Sequence, residues 1–455
     1  MVERNRSGAR EACVSETQGS SARAAVTGVL LLGGASSRFG SPKALAELRG
    51  LTLAERAWRL LGEACAERIA VGKGDLGFPF DVLLEPPEPR APIVGLVTAL
   101  RAAPTDTVVA LPVDCPLVTG ELLRTLAEER AVPQTGPLPG AYTKEHLPEL
   151  ERRLAAGEHS LRGVNERVCQ VDPVQLLDVD TRRDLALAAT VAWAQAHEDV
   201  RALVLVGSLS RADTPADEWS DIDVVALVDD PARYLDDAGW VHELGRPLLT
   251  FVEPTALRDG FERRVLLEGG VDVDVVPVAA AGADERLEAA GAVLRRGFAV
   301  LHDELGIAPR LAEAAARPVD PVPLPTPQQV DELCADLWYH GLWTAKKLAR
   351  GELWTATECL DGHLRYRLLD LLRWRALLAG RAPWHGVRFV EQWAGEPPEA
   401  LAATFGGYGE DEIRRALWGL LDLSERLERE LRERLGLPEA DRTEVARLIA
   451  DVQPR

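Results

Sequence analysis

Asp221 and Asp223 stand one residue apart at the head of an apolar run, Val224 to Leu227. Alternate residues of a strand point to the same side, so a strand here places both carboxylates on one face and turns Ile222 into the core. Two carboxylates held together repel unless a cation sits between them. Hard oxygen donors of this kind suit Mg²⁺, which also draws on phosphate oxygens to complete its shell. An earlier apolar run, residues 203–206, ends in Gly207-Ser208, where backbone N–H groups can approach a phosphate closely. Arg211 adds a charged clamp. Further on, VDVDVVP at residues 271–277 offers Asp272 and Asp274, again on one face. An Asp-x-Asp pair alone is equally what a solvated strand end looks like; the strand–Gly–Ser upstream makes this one specific.

A second set of polar residues lies near the start. The run VTGVLLL, residues 26–32, leads into GGASSRFGSPK, residues 33–43. A loop rich in glycine and serine after a strand can wrap a nucleotide's phosphates with backbone donors. Gly33, Gly34, Ser36 and Gly40 would form it, and Arg38 and Lys43 add charge. It is not a P-loop, because GxxxxGK[ST] is absent. Asp114 follows the strand run at 107–112 and is placed to reach a metal–triphosphate.

To hold these groups the chain must build strands that alternate with helices. Strand runs at 68–71, 81–85 and 107–112 alternate with helical patterns at 52–65, 95–102 and 120–130. That order predicts a parallel sheet with ligands at the strands' carboxyl ends. Residues 181–200 read as one amphipathic helix that feeds directly into the strand at Leu203, so no loose linker separates the two halves. Residues 317–329 are proline-rich and read as a linker. Beyond Val330 the pattern is helical, and seven of the eleven tryptophans lie between Trp338 and Trp418. Those rings either fill a helix-bundle core or line a substrate cleft. The expected fold is α/β: a Rossmann-like domain at 25–189, a second α/β domain at 190–315 and a C-terminal α-helical domain at 325–440, after a disordered tail at 1–24.

Composition narrows the partners. No apolar run approaches the ~20 residues needed to span a bilayer, and residues 1–24 lack the apolar core of a signal peptide. The six cysteines, Cys13, Cys65, Cys115, Cys169, Cys334 and Cys359, include no CxxC pair, so a reducing cytoplasm fits and neither zinc nor a disulfide framework is implied. The scattered histidines show no ligand spacing. A net charge of −20 argues against nucleic acid, whose binding runs on clustered Lys and Arg. It would attract a polycation instead, and Asp229, Asp230, Asp236 and Asp237 are carboxylates that could receive cationic rings.

The stretch 203–227 resembles the signature of the DNA polymerase beta-like nucleotidyltransferases, in which Gly-Ser holds the triphosphate and two acids hold metal. The resemblance implies a third carboxylate, commonly five residues before a proline such as Pro277, which selects Asp272 with Asp274 as runner-up. Residues 32–43 are similar to the LAGGxSxRxGxxK loop of the molybdenum cofactor guanylyltransferase-like NTP transferases, and residues 113–116 to their CDMP-type metal motif. GPLPGAY (136–142) and LAAGEHSLRGV (154–164) fit the same family. LLDVDTRRDL (176–185) sets Asp180 where an Asn or Asp stands near the metal. One departure is that the family's GPLAG segment, usually following an Asp, is here APIVG after Glu85, which leaves GTP against another NTP open. Residues 217–235, 245–254, 262–277 and 345–365 resemble the aminoglycoside 6-adenylyltransferases, the streptomycin-modifying branch. Lys346 takes the place of a lysine in that family's AKxLARG motif, where it could reach the triphosphate as a point charge. Its neighbour Lys347 reads as part of an exposed helix face.

Together these resemblances imply a bifunctional, Mg²⁺-dependent nucleotidyltransferase that uses ATP and GTP. In each half an oxygen nucleophile attacks the α-phosphorus and pyrophosphate leaves. The C-terminal half would move AMP to an aminoglycoside hydroxyl, with Glu268 either its general base or a solvated turn residue. The N-terminal half would move GMP to a phosphorylated acceptor such as molybdopterin. Two alternatives stay open: one half alone is catalytic beside a nucleotide-binding sensor or scaffold, or the N-terminal half acts on a sugar phosphate. The partners are then small molecules, with neither nucleic acid nor membrane.

Overall fold

The computed structural model describes residues 24–33, 39–74, 76–211, 216–255, 260–318, 322–381, 383 and 387–452. Packing divides the chain between Pro318 and Val319 into two compact units. The expected tail at 1–24 lies outside the described residues except for Ala24, which already belongs to the first strand.

In the first unit, Ala24–Leu31 (β1), Cys65–Gly72 (β2), Val82–Leu84 (β3) and Thr107–Pro112 (β4) run parallel in the order β3-β2-β1-β4. Leu53–Ala64 (α1) carries the chain from β1 to β2, and Pro92–Ala102 (α2) from β3 to β4. Parallel neighbours need such crossovers. Val29, Leu30, Val108 and Leu111 are fully buried, because both faces of a parallel sheet are covered. Gly120–Glu129 (α3) then leads to Gly140–Thr143 (β5), which pairs antiparallel with β4. The sheet departs from the all-parallel expectation at this edge, where an antiparallel strand is common. Leu147–Ala155 (α4) follows.

Arg182–Ala196 (α5) starts with a capping box: Asp184 N donates to Thr181 Oγ1 at 3.2 Å, and Thr181 N donates to Asp184 Oδ2 at 2.7 Å. It is shorter than the expected helix at 181–200 and less one-sided, since Ala186, Ala188, Val191, Ala192 and Trp193 are all buried. The cause is its position in a single apolar core that joins Leu30 and Leu111 of the first sheet to Leu203, Ile222 and Val273 of the second.

The second sheet contains Val200–Val206 (β6), Ile222–Val228 (β7), Pro247–Pro254 (β8), Phe261–Leu267 (β9), Val271–Ala279 (β10) and Ala299–Asp303 (β11) in the order β8-β9-β10-β7-β6-β11. Its register matters for function. Antiparallel β6 and β7 set Val206 opposite Asp223, and parallel β7 and β10 set Asp223 opposite Asp274. Antiparallel β9 sets Arg264 opposite Asp274. Pro231–Asp236 (α6), Ala283–Leu294 (α7) and Ala308–Ala316 (α8) follow β7, β10 and β11.

The second unit is helical. Pro327–Ala349 (α9) opens with a capping box from Thr326 and Gln329, and Leu353–Glu358 (α10) passes through a π-helical stretch, Cys359–Leu364, into Arg365–Leu378 (α11). Glu410–Leu435 (α12) ends at Gly436, whose φ of 67° supplies the left-handed cap. Trp338 and Trp393 are buried, Trp343, Trp374 and Trp418 pack partly buried on the same core, and Trp354 is 74% exposed. Trp384 lies outside the described residues. Most of these rings therefore fill core. Thr443–Ala450 (α13) lies past the boundary expected at 440, and its Ile449 is buried in that core. Among the described residues no helix is long and apolar enough to cross a membrane.

Candidate active sites

In the N-terminal half, Asp114 follows the carboxyl end of β4. Val179 N donates to the Asp114 carbonyl at 2.8 Å, and the Val179 side chain is fully buried. With Val179 turned inward, Asp178 and Asp180 turn the other way, and oxygens of Asp114, Asp178 and Asp180 come within 4.8 Å of one another. Lys43 places its Nζ 3.1 Å from Asp114 Oδ2 and 2.5 Å from Asp180 Oδ1. Burial opposes the charge of Lys43, but the two carboxylates outweigh it and raise its pKa. The Asp178 carboxyl is pushed up to about 6 by desolvation and by the charges of Asp114 and Asp180. Asp178 is the residue that motif reading misses, although the Asp-Val-Asp alternation at 178–180 carries the same signal as Asp-Ile-Asp at 221–223.

Gly33 lies beyond the end of β1, and Gly40 has a φ of 80°, in the left-handed region. Gly34, Ser36 and Arg38 lie outside the described residues. Beyond β3, the Glu85 side chain is only 4% exposed, with Oε1 at 3.5 Å from Lys73 Nζ. Its Oε2 is buried and has no hydrogen-bond partner among the described residues. Burial raises the pKa of Glu85 against the pull of Lys73. A Cβ on Gly33 would stand 2.7 Å from Oε1, and one on Gly95 would stand 3.0 Å from Oε2. Both glycines make room for this carboxyl.

In the C-terminal half, β6 turns at Gly207 with a φ of 71°, and a Cβ there would stand 1.9 Å from Asp223 Oδ2. Glycine is what lets the strand end pass the carboxylate. Next to it, Ser208 Oγ is buried with no hydrogen-bond partner among the described residues, and Arg211 follows, half-buried. Oxygens of Asp221, Asp223 and Asp274 lie within 4.8 Å of one another. Asp223 is pushed up to about 7, first by burial and then by the charges of Asp221, Asp274 and Glu262. Arg264 donates through Nε to Asp274 Oδ1 at 3.0 Å and through Nη1 to Glu253 Oε1 at 2.9 Å, and its Nη2 pairs with Asp274 Oδ2. Burial still raises the pKa of Asp274. An all-carboxylate donor set with so much uncompensated charge fits a hard divalent cation such as Mg²⁺.

Four expectations change. The third acid of this cluster is Asp274 and not Asp272, which is exposed two residues away along β10; parallel pairing puts Asp274 abreast of Asp223. Glu268 sits exposed in the turn after β9, 2.9 Å from Arg246. The carboxyl that feels the cluster is Glu262, whose pKa is raised by burial and then by Asp274. Asp229 pairs with Arg201 at 2.8 Å and Asp230 caps α6. Both lie past the far end of β7, about 20 Å along a seven-residue strand, so they cannot line this cluster. In the second unit, Lys346 is exposed on α9. Lys347, expected on an exposed face, pairs with Glu352 at 2.7 Å and lies 5.1 Å from the Trp343 ring centre.

Residues 28–171 match the family model described as MobA-like NTP transferase domain, and residues 182–450 match that described as streptomycin adenylyltransferase. A protein of Aquifex aeolicus (strain VF5) described as "Probable molybdenum cofactor guanylyltransferase" is 32% identical over 173 residues, which span 34% of this chain and 86% of that one. A protein of the same description from Chloroflexus aggregans is 30% identical over 167 residues, which span 32% of this chain and 80% of its own length. Among solved structures, an aminoglycoside 6-adenyltransferase from Bacillus subtilis is 17% identical, with a TM-score of 0.29 over 60% of this chain and 98% of that one. With an aspartate cluster in each half, the chain belongs through residues 182–450 to the streptomycin adenylyltransferase family and through residues 28–171 to the MobA-like NTP transferases, so both halves are nucleotidyltransferase domains.

Proposed function

We propose that the chain is a bifunctional, Mg²⁺-dependent nucleotidyltransferase. The segment 25–189 would transfer GMP from GTP to a phosphorylated acceptor such as molybdopterin. The segment 190–315, continued by the helical segment 325–440, would transfer AMP from ATP to an aminoglycoside hydroxyl. What carries this reading is that each half has its own trio of aspartates beside a glycine-bearing strand end.

Asp114, Asp178 and Asp180 would hold one cation, and Asp221, Asp223 and Asp274 another. The ion, when bound, neutralises charge on the triphosphate and favours attack at its α-phosphorus. Lys43, already beside two of these aspartates, is in place to meet phosphate charge. The unpartnered Oε2 of Glu85 suits guanine, which offers N1–H and its 2-amino group as adjacent donors, whereas adenine has an acceptor there. In the C-terminal site the Gly207 backbone and Ser208 Oγ would receive phosphate oxygens, Arg264 orients Asp274, and Glu262 takes the proton of the acceptor hydroxyl. The net charge of −20 supports a cationic acceptor there.

The test is incubation with each α-labelled NTP, Mg²⁺ and a panel of aminoglycosides and phosphorylated acceptors. Asp221→Asn should abolish AMP transfer to the aminoglycoside and leave GMP transfer unchanged, and Asp114→Asn should do the reverse. If Asp114→Asn alters no NTP's turnover, the N-terminal half is a nucleotide-binding module. Label on an oligonucleotide, with none on any aminoglycoside, would remove the acceptor assignment. Lys346→Ala tests the lysine expected at the triphosphate, through the KM for ATP.

A further inference from the structure

Three side chains with metal-ligating chemistry meet in the helical unit, away in sequence from either aspartate cluster. Asp336 and His340 stand four residues apart on α9 and so share one face. His363 comes from the π-helical stretch Cys359–Leu364. His340 Nδ1 lies 2.6 Å from Asp336 Oδ1, and His363 Nε2 lies 3.0 Å from Asp336 Oδ2. The imidazole centroids are 4.2 Å apart, and one ligand atom from each residue falls within 4.8 Å of the others.

Two independent features indicate a built site. The first is the π-helical stretch, a geometry that is rare and concentrated at functional sites. An extra residue in a turn rotates the downstream side chains by about 100°, and here it brings His363 to α9. The second is Arg367, whose Nε lies 2.7 Å from Asp336 Oδ2. It orients the carboxylate from outside, as partners of metal ligands do. Arg367 also reaches Asp370, 3.7 Å from its Nη1, while both imidazoles close on the Asp336 carboxylate itself. The side chains of Asp336, His340 and His363 are 26%, 32% and 35% exposed, which leaves coordination positions open to water or another ligand.

We propose that Asp336, His340 and His363 bind a borderline divalent cation of the Zn²⁺ class. Two imidazole nitrogens with one carboxylate oxygen favour zinc, cobalt or nickel over Mg²⁺. Ligands at about 2.0–2.2 Å from zinc stand roughly 3.3 Å from one another in a tetrahedral arrangement, so the 3.0 Å contact of His363 has to open by about 0.3 Å and the 2.6 Å contact of His340 by about 0.7 Å.

The full-length protein, stripped with a chelator and kept in excess Mg²⁺ to occupy the aspartate clusters, is titrated with Zn²⁺ by calorimetry and with Co²⁺ by visible absorption. One Zn²⁺ per chain is expected, with a Co²⁺ spectrum of nitrogen ligation. His340→Ala, His363→Ala and Asp336→Asn should each weaken Zn²⁺ binding by about 100-fold, the upper range for loss of a mere outer-shell partner, or more. Asp114→Asn and Asp221→Asn should leave it unchanged. The wild-type Co²⁺ spectrum decides the matter even if a variant fails to fold. The proposal is overturned by absence of stoichiometric Zn²⁺ binding, by an oxygen-only Co²⁺ spectrum, by binding that survives both histidine substitutions, or by loss of binding in Asp221→Asn.

Discussion

Asp223 is squeezed between the turn at Gly207 and two other carboxylates, and its titration follows from that crowding. Its folded pKa of about 7 lies above the ordinary 3.8. The folded protein therefore holds this proton more tightly than the unfolded chain. In metal-free protein the stabilisation is complete below the unfolded value and is lost as pH rises through about 7. Cation binding must displace the same proton, so its apparent affinity runs the other way. Mg²⁺ affinity for AMP transfer should fall by up to about tenfold per unit below pH 7, and the N-terminal reaction, with Asp178 at about 6, should hold out a unit lower. The Mg²⁺ dependence of each reaction between about pH 6 and 8 checks this; superimposable profiles would contradict it. The neighbouring strand offers a sharper comparison. Asp274→Asn should lower AMP transfer by about a thousandfold or more, a loss of roughly 4 kcal/mol in transition-state stabilisation, while the exposed Asp272→Asn should change it by only a few-fold. Turnover of the two variants measured side by side is the check.

At the scale of elements, the helical unit is tied by buried charge as well as by its apolar core. Glu396 has a side chain only 1% exposed, between Arg375 of α11, with which it pairs through Nη1, and Arg426 of α12 at 2.5 Å. Burial opposes its charge, yet the two guanidinium groups hold its pKa below the usual value. Removing the carboxylate strands the Arg375 charge in the interior, where among the described residues the Ala394 carbonyl and, at 3.6 Å, Glu430 remain. Glu396→Ala should therefore cost about 3 kcal/mol in urea unfolding, since breaking one side of a buried pair costs more than the pair contributes. A cost below about 1 kcal/mol would show that the unit relaxes around the arginine.

At the scale of the molecule, the first unit carries two aspartate clusters on one continuous core, and α5 is where they come nearest in sequence. Asp180 belongs to the N-terminal cluster. Three residues later, Arg183 donates through Nη1 to the Ser220 carbonyl at 3.1 Å and to that of Asp217, holding the turn that delivers Asp221. Arg183→Ala should weaken AMP transfer by about tenfold through loss of positioning, with GMP transfer unchanged. Rates of both reactions on one preparation test this, and a fall in both would mean that the helix start supports the two clusters as a unit.

The alternation of a strand is a local rule, and so the sequence alone determined that Asp221 and Asp223 share a face and that Ile222 is core. Local rules likewise sufficed for the glycine turn at Gly207, for Lys43 and Asp114 after their strands, and for the order of strands and helices. Pairing between strands far apart in the chain follows no local rule. Whether Asp272 or Asp274 completes the cluster depends on how β10 lies beside β7, some fifty residues earlier, and a register shift of two residues exchanges them. The same holds for Glu262 over Glu268, which follows from how β9 lies against β10. The antiparallel edge strand was likewise decided only by its pairing with β4, and the burial of α5 on nearly every side only when the two sheets came to share a core. The meeting of Asp336, His340 and His363 needed one more thing invisible in spacing, a π-helical turn that changes which way a histidine points.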